Sequence, residues 1–327
     1  MEETTPPVTP ASETPRFSRK TIIIGIGVLV LGVALLLAFV GLKNGEFNIL
    51  PVSEEQTFSY VTRTGYGSEA LMLSQDAFGK RDVGAPGTVV EYKEAEDVAV
   101  AILRSDDALP RPTTEVYVLG DTPRALTDDG YAKAGLAVSH DGTKVAFARI
   151  NEDRSYQQFS SLLSDWMIVV VDVATGEQEE VGTGFGAQFA DPANAGVLLY
   201  ATEEGVQAVD VVSGAVAVNE FVEVASAHYT PSVSPDGSHT LVYNPETQRY
   251  AVFEITSLFP SLTLTPVSQI SDALVHAVMQ NDTVYGIAKG EGDALELRAY
   301  AVGDLSTGRV VRSLPAGNQI YQLIPNR

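Results

Sequence analysis

The residue types that most often do chemistry in proteins are sparse in this sequence and lack catalytic spacing. The 327 residues include no cysteine, which excludes disulfides, thiolate metal sites and a cysteine nucleophile. The histidines are His140, His228, His239 and His276. No two of them have the spacing of a zinc-binding pair such as H-E-x-x-H. A G-x-S-x-G nucleophile motif is absent, and no Lys-Ser/Thr pair follows the glycine-rich segment 182–186 as a phosphate-binding loop requires.

Paired acidic residues form the other candidate group, and they lie in predicted loops. The clusters are Asp106–Asp107, Asp128–Asp129, Glu203–Glu204 and Glu291–Asp293. A calcium loop of the EF-hand type needs several oxygen ligands in a D-x-D-x-D-G pattern, which the sequence lacks. Weak cation binding to these carboxylates stays open, but a solvated acidic surface is the simpler interpretation. We therefore assign no catalytic, cofactor-binding or metal-ligating residue and expect no cofactor.

The overall charge limits the class of partner. Lys and Arg number 21 against 42 Asp and Glu, a net charge of −21. Such a charge argues against a nucleic-acid partner because phosphates would be repelled. The first 45 residues carry a net charge of +1, so the remainder carries −22. The hydrophobic content of 45% allows a large packed core.

An uncharged run separates these two differently charged regions. Residues 21–42 form it, and 22 residues of helix would span about 33 Å, close to the roughly 30 Å core of a bilayer. We predict a transmembrane helix here. A cleaved signal peptide is the alternative, but its apolar region is usually shorter, roughly 7–15 residues, and a good cleavage site is lacking.

The flanks of this run predict its orientation. Residues 1–20, rich in Pro, Thr and Glu, are predicted to be a disordered cytoplasmic tail, and residues 43–55 a linker. Three cations lie before the helix, at Arg16, Arg19 and Lys20, so the positive-inside rule places the N-terminus in the cytoplasm. We predict a single-pass protein of the cytoplasmic membrane whose domain at residues 56–327 is extracytoplasmic.

The region beyond residue 50 is predicted to be all-β. Its apolar runs are short and rich in Val, Tyr, Phe and Ile, and turn pairs such as Asp-Gly and Ser-Gly separate them. The predicted strands are 98–103, 115–119, 144–148, 167–173, 196–201, 206–212, 240–243, 250–255, 283–288 and 295–302. Many short strands at even spacing are typical of a sandwich, a barrel or a propeller.

Two repeated turn signatures favour the propeller. The segments 139–142 and 234–237 share a Ser-x-Asp-Gly turn, with a positive φ angle predicted at Gly142 and Gly237. The segments 172–176 and 210–214 each place a strand-ending Asp four residues before Gly, which predicts a second hairpin in each repeat. The repeat length of 38 residues between Asp172 and Asp210 is close to the roughly 40–50 of propeller repeats.

Residues 115–148 resemble the TolB-type propeller repeat, a bacterial, WD40-like family. The matching positions are Leu126, Thr127, Asp128, Ser139, Asp141, Gly142, Val145, Ala146 and Phe147. His140 replaces the proline usual in this motif, whereas Ser234–Gly237 keeps it but lacks the Ala-Phe ending. The resemblance implies a TolB-like β-propeller, and it carries little information on function because these turns are structural.

The repeat predicts a six-bladed propeller, with seven blades as the alternative. Five predicted blades cover 88–130, 131–182, 183–225, 226–268 and 269–314. Residues 315–327 are predicted to pair with strands from 56–87 and close a sixth, so that no edge strand is left along the ring closure. The polar segment 151–164 is predicted to be a long loop on one face of the disc.

The combination of anchor, propeller and missing catalytic motifs predicts a binding module. We expect a protein-interaction or scaffold module of the bacterial cell envelope, with a protein partner on a propeller face and no catalysis. The alternative is an enzyme that binds or processes envelope glycans with acidic residues at the central channel. A sensor that signals through the transmembrane helix is a third, weaker hypothesis.

Overall fold

A computed structural model describes most of the region predicted to be a propeller. The described residues are 58–64, 67–73, 78–80, 85–95, 97–104, 114–151, 160–219, 231–244, 247–290, 294–313 and 319–325, with backbone only for 58–80 and 319–325. The predicted tail, transmembrane helix and linker at residues 1–55 lie outside them. In the described part of the chain the one helix is a short 3-10 turn, Leu163–Asp165, and none has the length and apolar character to cross a bilayer.

The strands form six antiparallel four-stranded sheets. In the first sheet, β1 (Phe58–Thr64), β2 (Gly67–Leu73) and β3 (Phe78–Lys80) pair with the C-terminal strand of the chain. Blade I contains β4 (Thr88–Ala95), β5 (Val98–Arg104), β6 (Thr114–Leu119) and β7 (Arg124–Ala125). Blade II contains β8 (Lys133–Val138), β9 (Lys144–Ile150), β10 (Trp166–Asp172) and β11 (Gln178–Thr183).

The remaining blades repeat this order. Blade III contains β12 (Phe185–Phe189), β13 (Val197–Thr202), β14 (Gly205–Asp210) and β15 (Ala215–Asn219). Blade IV contains β16 (Ser232–Val233), β17 (His239–Asn244), β18 (Arg249–Ser257) and β19 (Thr263–Gln269). Blade V contains β20 (Leu274–Gln280), β21 (Thr283–Lys289), β22 (Leu295–Ala301) and β23 (Asp304–Ser313), and β24 (Gln319–Pro325) follows.

The chain is thus an all-β propeller, as the sequence predicts. Five blades consist of consecutive strands, one fewer than the six predicted. The remaining sheet, in the order β24-β1-β2-β3, combines the two ends of the domain, and we call it the closing sheet. The predicted pairing of the C-terminal segment with the N-terminal strands is therefore present. No seventh sheet occurs among the described residues.

The first strands of the sheets lie side by side around the centre. Strand β4 contacts β8, which contacts β12, and the series continues through β16, β20 and β24 back to β4. The two middle strands of each blade are covered by blades on both sides, so their burial is nearly continuous rather than alternating, as in β9 and β13. All ten strands that the sequence predicts are these middle strands, β5, β6, β9, β10, β13, β14, β17, β18, β21 and β22.

The Ser-x-Asp-Gly turns join the first and second strands of blades II and IV. In blade II the Ser139 hydroxyl donates to Asp141 Oδ1 at 2.7 Å and accepts from Lys144 N at 2.9 Å. Asp141 Oδ1 also accepts from the backbone N of Thr143 at 3.0 Å. Burial alone would raise the pKa of the Asp141 carboxyl, but the hydrogen bonds from Ser139 and Thr143 together lower it. Ser234 and Asp236 repeat the arrangement in blade IV.

The turn glycines also position one blade against the next. Gly142 and Gly237 have φ angles of 67° and 72°, as predicted. A Cβ atom on Gly237 would lie 2.3 Å from the carbonyl oxygen of Ala190, which follows the first strand of blade III. Gly214, in the second type of hairpin, has the same φ of 72° but no atom within 4 Å of the corresponding Cβ position.

These two glycines allow a matched test of the blade contact. Both Gly237→Ala and Gly214→Ala place a side chain in the left-handed region, at a cost of about 1 kcal/mol each. Gly237→Ala also forces the Ala190 carbonyl away, so we expect it to destabilise the full-length chain by roughly 1–3 kcal/mol more. Urea unfolding followed by the fluorescence of Trp166 measures the difference. Equal midpoints for the two variants would contradict the blade-contact role of Gly237.

Candidate functional site

The centre of the propeller holds a small cavity where the first strands of the blades end. Its volume is about 90 Å³. The lining residues are Lys93, Glu94, Ala137, Val138, Gln188, Ser232, Val233, Pro235, Val278, Met279 and Gln280. They come from all five blades, and Pro235 belongs to the Ser-x-Asp-Gly turn of blade IV. The cavity therefore lies at the end of the channel where these turns are found.

The cavity presents hydrogen-bonding groups rather than a purely apolar wall. Gln280 is 8% exposed, and its side-chain Oε1 is buried without a hydrogen-bond partner. The Ser232 hydroxyl, in contrast, accepts a hydrogen bond of 3.1 Å from the backbone N of Met279. A buried carbonyl oxygen without a donor is costly, so the Gln280 amide favours a ligand that brings an N–H or O–H group into the cavity.

The charged groups at the cavity are one cation and one carboxylate among the described lining residues. These are Lys93 and Glu94, and the Tyr92 hydroxyl donates a hydrogen bond to Glu94. Hydrolysis of a glycosidic bond uses two carboxyl groups about 5–9.5 Å apart. The described lining residues do not offer that pair.

A second carboxylate near the channel, Glu91 on β4, joins two blades. Its Oε1 and Oε2 accept hydrogen bonds of 2.8 Å each from the backbone N of Gly135 and of Leu136 on β8. The two amides are available because β8 bulges between Ala134 and Ala137, where Gly135 has a φ of 69°. Burial raises the pKa of the Glu91 carboxyl, and the hydrogen bonds from Leu136 and Gly135 offset this only in part. Sequence reasoning missed Glu91, because its role depends on a bulge in another blade.

An ion-pair cluster fixes the segment between blades I and II. The ammonium group of Lys133 is buried and contacts Glu115 Oε2 at 2.9 Å, Asp129, and the carbonyl oxygen of Thr114 at 2.9 Å. Glu115 also accepts a hydrogen bond from the Thr127 hydroxyl, within the Leu-Thr-Asp motif of the repeat. Asp129, one of the acidic residues noted in the sequence, therefore has a structural partner.

The other candidate residues do not assemble into a chemical site. His140 and His239 lie at the two Ser-x-Asp-Gly turns, and His276 lies on β20. Glu203 and Glu204 form an exposed turn between β13 and β14. The described residues contain no group of three His, Asp or Glu side chains that could hold a metal ion. Asp106, Asp107, His228, Glu291 and Asp293 lie outside the described residues.

Two further segments singled out in the sequence have structural surroundings. In the glycine-rich segment 182–186, a Cβ atom on Gly184 would lie 2.4 Å from the carbonyl oxygen of Ala201. The predicted loop 151–164 is described only at its ends. Because β9 runs antiparallel to β8, the loop leaves blade II on the face opposite the Ser-x-Asp-Gly turn. The Ser160 carbonyl there accepts a hydrogen bond of 2.9 Å from the Trp166 indole.

Solved structures share this fold. The chain is similar to TolB from Acinetobacter baumannii, with a TM-score of 0.57 and 13% identity over 83% of this chain and 66% of that chain. A puromycin hydrolase structure has a TM-score of 0.48 and 13% identity over 80% of this chain and 46% of that chain. A structure described as putative TolB from Agrobacterium tumefaciens has a TM-score of 0.39 and 13% identity over 79% of this chain and 81% of that chain.

The likeness to the Acinetobacter baumannii structure shows the TolB-like β-propeller fold. The chain spans less than two thirds of the Acinetobacter baumannii TolB structure and 46% of the puromycin hydrolase. No protein-family model matches the sequence, and a search of curated proteins finds no significant match. Activity, substrate and partner therefore remain matters for proposal.

The buried carboxyl group of Glu91 leads to a pH prediction. Because its pKa is raised above 4.5 in the folded state, the folded chain keeps a proton that the unfolded chain loses as the pH rises past 4.5. The stability due to Glu91 is thus highest at low pH and falls as pH rises through the folded pKa. We expect the stability of the full-length chain relative to Glu91→Gln to decline from pH 4.5 towards neutrality, measured by urea unfolding at each pH.

A matched variant separates this effect from general acid denaturation. Glu203→Gln removes one carboxylate from an exposed turn, so the stability difference between wild type and that variant should change little over the same pH range. A pH-independent difference between wild type and Glu91→Gln would show that Glu91 does not carry the predicted proton.

Proposed function

We propose that this protein is a non-catalytic protein-interaction module of the cell envelope, held outside the cytoplasmic membrane by residues 21–42. The central cavity binds part of a partner protein at the face with the Ser-x-Asp-Gly turns. The observation that carries this proposal is the buried, unpartnered Oε1 of Gln280 in a cavity of about 90 Å³.

The size of the cavity favours a protein side chain over a glycan. A volume of about 90 Å³ corresponds to roughly three water molecules at their share of liquid volume. Sites for drug-sized ligands have roughly 300–1,000 Å³. One protruding side chain from a partner fits the smaller volume, and a side chain with an N–H group would supply the donor that Gln280 needs. A sugar chain positioned for cleavage needs more space and a second carboxylate.

The charge distribution supports the same interpretation. Lys93 and Glu94 lie at the cavity with opposite charges, so they offer specific polar contacts rather than a strong field of one sign. The rest of the chain beyond residue 45 carries a net charge of −22 and repels phosphate and uronate polymers. These groups therefore favour a partner that has at least one hydrogen-bond donor side chain and a neutral or basic surface.

Site-specific photocrosslinking in intact cells tests the cavity. A benzophenone amino acid placed at Gln188, which lines the cavity, should yield a discrete adduct identified by mass spectrometry. The same probe at Val267, an exposed position on the outer strand β19, should not yield that adduct. Gln280→Leu should reduce the adduct from Gln188 by roughly tenfold, since the loss of one hydrogen bond to a partner costs about 1.5 kcal/mol.

Two outcomes would overturn the proposed function. An identical adduct from positions 188 and 267, or an adduct unaffected by Gln280→Leu, would show that the cavity does not select the partner. Cleavage of an envelope glycan by the wild type, lost in Glu94→Gln, would show that the protein is an enzyme. In that case the carboxylate at the cavity would be part of its machinery.

The proposed anchor has its own test. The full-length chain should stay in the membrane pellet after alkaline carbonate extraction, whereas deletion of residues 21–42 should release it. External protease added to spheroplasts should digest the propeller and leave the tail at residues 1–20 protected, as the positive-inside rule predicts. A full-length chain found in the soluble fraction would contradict the anchor.

A further inference from the structure

Among the described strands, each outer strand of the propeller has one backbone edge that pairs with no other strand. Most of these outer strands carry features that prevent pairing with other proteins. Strand β11 contains Glu179 and Glu180, and its register with β10 is interrupted once. Strand β19 contains Pro266 and two register shifts. Charged residues, proline, bulges and very short length are the devices by which natural sheets protect their edges.

The same devices occur in the remaining outer strands apart from one. Strand β23 contains Arg309 and Arg312 and has two register shifts against β22. Strand β7 is only two residues long and includes Arg124. Strand β3 of the closing sheet has three residues and includes Lys80. Protection of the edge is therefore general in the described part of this propeller.

Strand β15 of blade III lacks every one of these features. Its sequence, Ala-Val-Ala-Val-Asn, has neither charge nor proline. Its five residues pair with β14 in one continuous register, from Asp210 with Ala215 to Val206 with Asn219. Among the described strands, no other lies on its outer side. The edge is regular, apolar and unpaired among the described strands, which is the form that accepts an added strand.

The side chains at this edge are unusually accessible for apolar residues. Val216 is 54% exposed, and Val212 in the adjoining hairpin turn is 77% exposed. Asp210 Oδ1 accepts hydrogen bonds from the backbone N of Val212 at 2.9 Å and of Ser213 at 3.3 Å, so the hairpin is held in one conformation. A partner strand would therefore meet a preformed edge and lose little entropy on ordering it.

Carboxylates lie at both ends of the strand. At its start, Asp210 pairs with Ala215, and hydrogen bonds from Ser213 and Val212 outweigh burial and lower the pKa of Asp210. Near its end, Val206 pairs with Asn219, and the exposed turn with Glu203 and Glu204 comes directly before the partner strand β14. The apolar edge is thus bounded by negative charge on each side.

A second copy of this chain does not match that pattern. Each copy has a net charge of −21, and pairing β15 with β15 would bring the same carboxylates together. An extended segment from a different protein, with basic residues around an apolar centre, has the complementary charge.

We propose that β15 is a strand-addition site that binds an extended segment of a partner protein, with β-branched residues at its centre and Lys or Arg at both ends. The added strand continues blade III outward, and main-chain hydrogen bonds provide its affinity. Val216 contacts its apolar side chains, while Asp210 and Glu203–Glu204 select its basic ends. This site is at the rim of the propeller and does not depend on the central cavity proposed above.

Binding of synthetic peptides to the full-length chain in detergent tests the proposal. Fluorescence anisotropy is measured with a labelled Lys-Thr-Val-Thr-Val-Thr-Lys peptide and with a matched peptide that has Glu at both ends. The Lys peptide should bind, with affinity that falls as salt is raised, and the Glu peptide should not. Hydrogen exchange should slow at residues 215–219 when the Lys peptide binds.

Variants at two outer strands provide the matched comparison. Val216→Lys should weaken binding of the Lys peptide at least roughly tenfold, because it adds a charge to the open edge. Val310→Lys, at a position 47% exposed on the protected strand β23, should leave binding unchanged. Glu203→Gln combined with Glu204→Gln should weaken binding several-fold, and Gln280→Leu at the cavity should have no effect.

Several results would overturn the proposal. These are equal binding of the Lys and Glu peptides, no response to Val216→Lys, or hydrogen-exchange protection at residues other than 215–219. A dimer in analytical ultracentrifugation that is lost in Val216→Lys would show that the occupant is a second copy. If Gln280→Leu abolishes the photocrosslinked adduct in cells while the variant still binds the Lys peptide, the cavity and the β15 edge are independent sites.

Discussion

The need of each sheet to bury both of its faces governs this structure. A single four-stranded sheet of this composition would leave the apolar residues of its middle strands in water. Each blade of the ring therefore covers its neighbours. Strand β13, buried along its whole length, shows the result. The tightest contacts between blades are made by small or backbone groups, such as Gly237 against the Ala190 carbonyl. Where a polar group lies between blades, as at Glu91, it is bound by backbone amides of the next blade.

This constraint also explains how much of the fold could be predicted from the sequence. The middle strands are visible because burial on both faces requires runs such as 167–173. The Asp-Gly turns are visible because glycine adopts their positive φ angles at the least steric cost. The first and last strands are harder to recognise. Strand β16 has two residues and β11 is mostly exposed and polar, so neither has a distinct apolar period. Their positions depend on hydrogen bonds to the middle strands.

The candidate sites were less predictable than the fold. The described histidines and acidic pairs form no group of three side chains that could hold a metal ion, and the sequence does not reveal what lines the channel. Gln280 becomes notable only because the ring encloses its amide, and β15 only because the other outer strands are protected. Both features are apparent only when positions far apart in the chain are compared. A local motif therefore could not have identified them.

The pairing of β1 with β24 has a consequence for how the chain is made. Phe58 and Pro325 are partners in one sheet, although almost the whole domain is synthesised between them. Local hairpins of the blades can form as soon as they emerge, but this contact has a high sequence separation and is expected to form late and slowly. A chain that stops before Gln319 would have an open edge on β1. Such an edge can pair with strands of other proteins, so the seven residues of β24 protect β1 only after they have been synthesised and have paired with it.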